Sequence, residues 1–217
     1  MSYQDKDKKI NLRNGEQSSA IHRLDDKVGT YYLADNPKYF EPQRGNTFMF
    51  YVEGLSKKFN IPNNTYAQEN AEDVIKLSVK TASVPHFTTN KLTINRGNSQ
   101  MHFAGKSEFP DGTLAVHDYI GAGTKDILLS WQKQVYDVET EKVGLASDYK
   151  HDAYLLEYTP EYQLVRTWKL YGCWISALKE NDYDHDSSDN KMIDVTLVYD
   201  KAMIDNSDLI DNSDLED

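Results

Sequence analysis

Between Tyr162 and Ala177 the chain reads YQLVRTWKLYGCWISA, a run that is bulky on both faces of an extended backbone. Leu164, Trp168, Leu170 and Trp174 fall against Val165, Tyr171 and Ile175. Side chains on a strand alternate between its faces, so a segment loaded on both sides has to be covered twice. Gly172 divides the run and predicts a bulge or sharp bend between two strands. Met192 to Asp200 forms the last predicted strand, with Ile193, Val195, Leu197 and Tyr199 on one face. Long strands of this kind are hazardous as free sheet edges. They become sensible when neighbouring subunits consume those edges in a closed ring.

Earlier segments add to the β pattern. Thr47 to Glu53 places Phe48, Phe50 and Val52 on one face, and Gly54 ends it. Val74 to Thr81 alternates Ile75, Leu77 and Val79 against Lys76, Ser78 and Lys80, predicting a strand with one packed and one wet face. Pro85 breaks it. Lys91 to Asn95 and Gln100 to Ala104 read as two further strands around the turn Arg96-Gly97-Asn98. One helix is expected, from about Asp126 to Asp137, because Ile127, Trp131 and Val135 recur at helical spacing and Leu128 widens the stripe. The ordered body is predicted to be mainly antiparallel β with one packed helix.

Charge divides the chain further. Its 217 residues hold 24 Lys and Arg against 35 Asp and Glu, for a net charge of −11. Residues 1–44 carry seven acids and eight bases with no periodicity, and read as an extended N-terminal arm. From Ile204 the chain repeats IDNSDL-IDNSDL-ED, with six acids and no base, and reads as an acidic, solvated C-terminal tail. Residues 45–203 are left as the folded domain, itself acidic. That balance argues against wrapping nucleic acid, whose phosphates are met by clusters of Lys and Arg. The polar first residues lack the apolar region of a secretion signal, and no run approaches the roughly 18 apolar residues of a membrane span. With Cys173 the only cysteine, no disulfide framework is expected, and the chain is expected to fold in the cytosol.

Chemistry is sparse. Asp182, Asp184 and Asp186 begin like a calcium loop, but Ser187 occupies the glycine slot and Ile193 the bidentate acid slot. A polar hairpin loop is the favoured reading. Gly121-Ala-Gly123 lacks the third glycine of a nucleotide-binding turn, and there is no Walker A or GxSxG motif. The histidines have no recurrent spacing. No catalytic residue, metal site or cofactor is predicted. Long strands, an acidic surface and irregular ends without a catalytic constellation suit an assembly protein.

Three stretches carry a resemblance. Leu77-Ser-Val-Lys-Thr-Ala-Ser-Val-Pro-His-Phe87 runs on to Leu92-Thr-Ile-Asn-Arg-Gly-Asn98 and Phe103-Ala-Gly105. Ile127-Leu-Leu-Ser-Trp131 leads to Val135-Tyr-Asp137 and to Thr140 through Gly144. Arg166-Thr-Trp168-Lys-Leu-Tyr-Gly172-Cys-Trp174 precedes an acidic loop and Val195-Thr-Leu-Val-Tyr-Asp200-Lys-Ala. In order and spacing these resemble the tail tube proteins of contractile-tailed bacteriophages, of the T4-like kind, over about residues 45–203. The resemblance implies a β-barrel or sandwich with a flanking helix. Six copies would form a ring, and rings would stack into a tube inside the sheath, with baseplate and terminator proteins at its ends and DNA passing through. It implies a virion tail protein assembled in the host cytoplasm, without membrane contact.

Within that expectation Trp131, Arg166, Trp168, Trp174 and Tyr199 are the candidate packing or subunit-interface residues. Each tryptophan fits a monomer core equally well. Arg166 has two possible partners, an acid across a subunit boundary or one on the next strand. Lys76, Ser78 and Lys80 would line either lumen or outer wall. Two other readings stand beside the phage tube: a baseplate hub or injection-system tube built alike, and a β-sandwich carbohydrate-binding module using some of the 15 tyrosines.

Overall fold

A computed structural model describes residues 42–58, 61, 64–186 and 188–205. The predicted arm and tail lie almost wholly outside the described residues. Elements run β1 (Phe48–Val52), α1 (Leu55–Lys58), α2 (Thr65–Glu69), α3 (Ala71–Ser78), β2 (Val79–Ala82), β3 (Thr88–Arg96), β4 (Ser99–Glu108) and β5 (Gly112–His117). Then come α4 (Thr124–Val135), β6 (Tyr136–Asp137), β7 (Lys142–Val143), α5 (Ala146–Tyr149), β8 (His151–Tyr158), β9 (Leu164–Glu180), β10 (Met192–Val198) and β11 (Lys201–Asp205).

The main sheet has the order β1-β8-β9-β10-β5-β2, antiparallel throughout, with β11 also on β9. Its end strands β1 and β2 approach one another, so the sheet curls towards a barrel. One core lies on its inner face. Phe50, Val52, Leu155, Leu170, Ile175, Val195 and Leu197 meet Val74 and Ile75 of α3 and Ile127, Leu128 and Trp131 of α4. The fold is therefore mainly antiparallel β with flanking helices, and α4 buries the stripe that its spacing predicts.

The predicted strand pair around Gly172 is one strand of 17 residues. β8 pairs along its first half, whereas its other edge is shared: β11 takes Thr167 to Tyr171 and β10 takes Trp174 to Glu180. Gly172 sits where these partners change, with φ +62°, and a Cβ there would lie 2.5 Å from Asp200 Oδ2. The pairing with β8 slips at the same place, from His151–Cys173 to Ala153–Leu170. Gly172 is thus a bulge within a continuous strand. β11 follows β10 and carries strand structure to Asp205, beyond the Tyr199–Asp200 end expected from sequence.

The strand expected over Val74 to Thr81 is corrected. Its first part belongs to α3, and only Val79–Ala82 is extended. Ala71, Val74, Ile75 and Ser78 are buried at helical spacing, while Leu77 of the supposed packed face is 75% exposed. Glu72 and Asp73 in the first turn and Lys76 in the last suit the helix dipole. Lys76, Ser78 and Lys80 consequently share no polar face. Ser78 is buried, donating to the Val74 carbonyl at 2.6 Å and meeting Thr124 Oγ1 at 3.0 Å. The expectation of a single helix is corrected too, since among the described residues four shorter helices accompany α4.

Candidate assembly surface

β3 and β4 form a two-stranded ribbon outside the main sheet, and every residue of both strands is exposed. Register places Leu92 opposite Phe103 and Ile94 opposite Met101, so four apolar side chains share one face. The other face carries Lys91, Thr93 and Asn95 opposite Ala104, His102 and Gln100. Thr93 and His102 are joined across the strands at 3.3 Å. The register shifts once, between Thr89 and Lys91. A Cβ at Gly105 would lie 2.8 Å from the Asn90 carbonyl oxygen, so the bulge requires glycine there.

Leu92, Ile94, Met101 and Phe103 are 54%, 49%, 44% and 47% exposed. An isolated two-stranded hairpin is marginal in water, and an amphipathic one wants its apolar face covered. Sequence reading identified both strands. It did not show that their apolar face turns away from the core.

Beside the ribbon's root lies an apolar groove of about 480 Å³ lined by Pro85, Phe87, Phe109, Trp168, Met203 and Ile204, among others. Of the sequence candidates Trp168 lines it, and Arg166 is tied to Trp168 through Glu157. Trp168 Nε1 donates to Glu157 Oε1 at 2.9 Å, and Arg166 Nη1 donates to Glu157 Oε2 at 3.2 Å. Of the two partners open to Arg166, the structure supplies the acid on the adjacent strand, β8. Tyr199 is buried nearby, its ring 6.1 Å from that of Phe109, and burial raises its hydroxyl pKa.

Trp131 and Trp174 belong to a different cluster. Trp131 is buried, donates from Nε1 to the Tyr149 carbonyl at 2.8 Å and meets His151 edge-on. Trp174 meets Tyr149 edge-on at 5.8 Å. The five candidates are therefore split between two places, and Trp131 is a core residue in the single chain.

A second apolar groove, about 530 Å³, runs between α4, the β6–β7 hairpin and β9. Leu129, Val135, Tyr136, Val138 and Ile175 line it, with Lys133, Asp137 and Glu139. Lys133 stands 3.7 Å from both acids. Hydrogen bonds from the Thr140 hydroxyl and the Glu139 N–H hold the Asp137 carboxyl below its usual pKa.

In the Asp182–Asp186 loop the Asp186 N–H donates to Asp184 Oδ1 at 3.0 Å, and Lys191 Nζ stands 3.7 Å from the centre of the Tyr183 ring. Among the described residues, no group of three His, Cys, Asp or Glu side chains is placed to hold a metal ion. Cys173 is buried, and desolvation pushes its thiol up to about 12, which makes it unreactive. On the outer face of the sheet Tyr51 and Tyr154 stack at 4.8 Å, with Lys169 5.3 Å from the Tyr154 ring centre. These rings spend their faces on each other. Among the described residues no helix is long and apolar enough to cross a membrane.

No family model and no curated protein sequence matches this chain. Solved structures do. A chain from the sheath–tube complex of the PVC extracellular contractile injection system, in its extended state, aligns at TM-score 0.56 and 16% identity, over 82% of this chain and 97% of that one. A chain of the anti-feeding prophage baseplate, six-fold symmetrised, aligns at 0.55 and 14%, over 77% and 98%. The tube-terminating cap of the same prophage aligns at 0.53 and 13%, over 76% and 91%. At these identities the likeness is one of fold: the chain has the fold of tail-tube-like components of contractile systems.

Proposed function

We propose that this protein is a structural, non-catalytic tube subunit whose copies assemble into hexameric rings that stack into the inner tube of a phage tail. The observation that carries the reading is the β3–β4 ribbon, which displays Leu92, Ile94, Met101 and Phe103 half exposed and clear of the core. Four such side chains on a thin ribbon are stable in water when another subunit covers them. The matching folds come from assemblies described as sheath–tube complex, baseplate and tube cap, and one of these is six-fold symmetrised. In this reading the partners are further copies of the chain, a sheath, a baseplate and a terminator, and the protein resides in the virion tail after assembly in the host cytoplasm. An arm of residues 1–44, a tube domain and an acidic tail belong to the same reading. The tube domain of residues 45–203 carries a net charge of about −6, and an acidic wall would keep transiting DNA from adhering.

A second reading is favoured by the matching folds themselves, which come from injection systems. There the same tube would carry cargo other than a genome. Light scattering on the purified chain over a range of concentrations tests the shared part. The reading predicts growth from monomer to species of at least six subunits as concentration rises, and a monomer mass throughout refutes it. Nuclease-sensitive DNA in particles purified from cells then separates phage tail from injection tube.

A further inference from the structure

We propose that the groove between α4 and the β6–β7 hairpin receives the β3–β4 ribbon of a second copy of this chain. The proposal rests on the tube reading in one respect only: it needs the chain to associate with itself.

The first ground is apolar fit. The ribbon offers Leu92, Ile94, Met101 and Phe103 on one face, and the groove offers Leu129, Tyr136 and Val138, which are 43%, 45% and 78% exposed. Val143 and Leu145, 73% and 70% exposed, extend the same region past the hairpin.

The second ground is charge. In a chain of net −11, residues 88–108 carry Lys91, Arg96 and Lys106 against Glu108 alone, so the ribbon is a cationic element on an acidic protein. The β6–β7 hairpin, residues 136–143, has the opposite balance, with Asp137, Glu139 and Glu141 against Lys142. Arg96 ends the row that holds Leu92 and Ile94, and Asp137 and Glu139 flank the apolar residues of the groove with Lys133 as their one cationic neighbour in its lining. A cationic ribbon with an apolar face and an acid-flanked apolar groove are complementary in both respects.

The third ground is symmetry. The groove beneath Trp168 is also apolar, but Phe87 and Phe109 in its wall bracket the ribbon's own root. Two copies exchanging ribbons through root grooves make a self-complementary contact that closes at two. Open-ended stacking needs two different patches, and the α4 groove, unlike the Trp168 groove, is built from elements that do not adjoin the ribbon in the chain.

Cysteine crosslinking of the full chain tests this. Cys173 is buried and stays out of the reaction. A variant with Ile94→Cys and Val138→Cys is oxidised and run on a non-reducing gel, beside Ile94→Cys with Met203→Cys, which probes the Trp168 groove. The proposal predicts a ladder of disulfide-linked dimers and higher species from the first pair and at least ten-fold less from the second. It also predicts that Asp137→Lys with Glu139→Lys, added to the first pair, cuts that yield several-fold. A ladder from the Met203 pair alone, or from neither, overturns it.

Microscopy of the unsubstituted chain separates the two ideas. Tubes without the Val138 crosslink leave the tube reading standing and sink this one. The crosslink without tubes does the reverse.

Discussion

Truncating Phe103 to alanine isolates what the ribbon contributes to assembly. Phe103 keeps 47% of its surface exposed in the single chain. A phenylalanine presents about 200 Å², so a neighbour has roughly 90 Å² of it to cover, about 2 kcal/mol at ~25 cal/mol per Å². That loss corresponds to an association constant about 30-fold weaker. The body should hardly notice, because no residue of β3 or β4 belongs to the buried core. The assay is a pelleting series that gives the concentration at which Phe103→Ala begins to assemble, beside a thermal melt of the unassembled chain. The expected result is an onset about 30-fold higher with an unchanged melt. An onset within about three-fold of the unsubstituted chain, well short of the tenfold that 1.4 kcal/mol produces, refutes the argument. A melt depressed as strongly as assembly refutes it too, since the ribbon would then be stabilising its own chain.

Trp131→Ala should cost about 3–5 kcal/mol in denaturant unfolding, because it empties a buried site and removes the bond to the Tyr149 carbonyl; a loss under about 1 kcal/mol contradicts its placement in the core. Gly172→Ala puts a side chain at φ +62° against an Asp200 carboxylate that Lys150 holds at 2.7 Å. It should cost about 1–2 kcal/mol and lower Tm by several degrees, and an unchanged Tm contradicts the bulge. Lys125 lies 2.7 Å from Glu180, and its hydrogen bond holds the Glu180 carboxyl below its ordinary value of 4.5. Stability from this pair is therefore present above pH 4.5 and is lost as pH falls through the lower folded-state value. Both side chains are about a third exposed, so the contribution is under about 1 kcal/mol. Lys125→Ala should flatten acid denaturation below pH 4.5, and an identical acid profile contradicts the assignment.

Alternation made β1 and β10 readable, bulk on both faces made β9 readable, and a helical stripe around Trp131 made α4 readable. α3 was misread because Ile75, Leu77 and Val79 alternate by coincidence. Its true packing face includes Ala71 and Ser78, small residues that add little to a hydropathy pattern. β8 and β5 went unread for a related reason: HDAYLLEY begins and ends polar, and GTLAVH is short and opens on glycine. Missing β8 left the partner of Arg166 open, since Glu157 lies on it. The ribbon was legible as two strands, but alternation says only that a face is apolar, not what covers it. Its outward face depends on β3 and β4 pairing with each other alone, and the two grooves depend on tertiary neighbours that no local pattern encodes.

The central claim is that this chain builds a ring with many copies of itself. Electron microscopy of the purified, untagged chain at rising concentration, with class averages examined for rotational symmetry, tests it most directly. The account predicts six-fold rings that stack into hollow tubes. Compact single-chain particles at every concentration, or closed pairs that never grow, would contradict it.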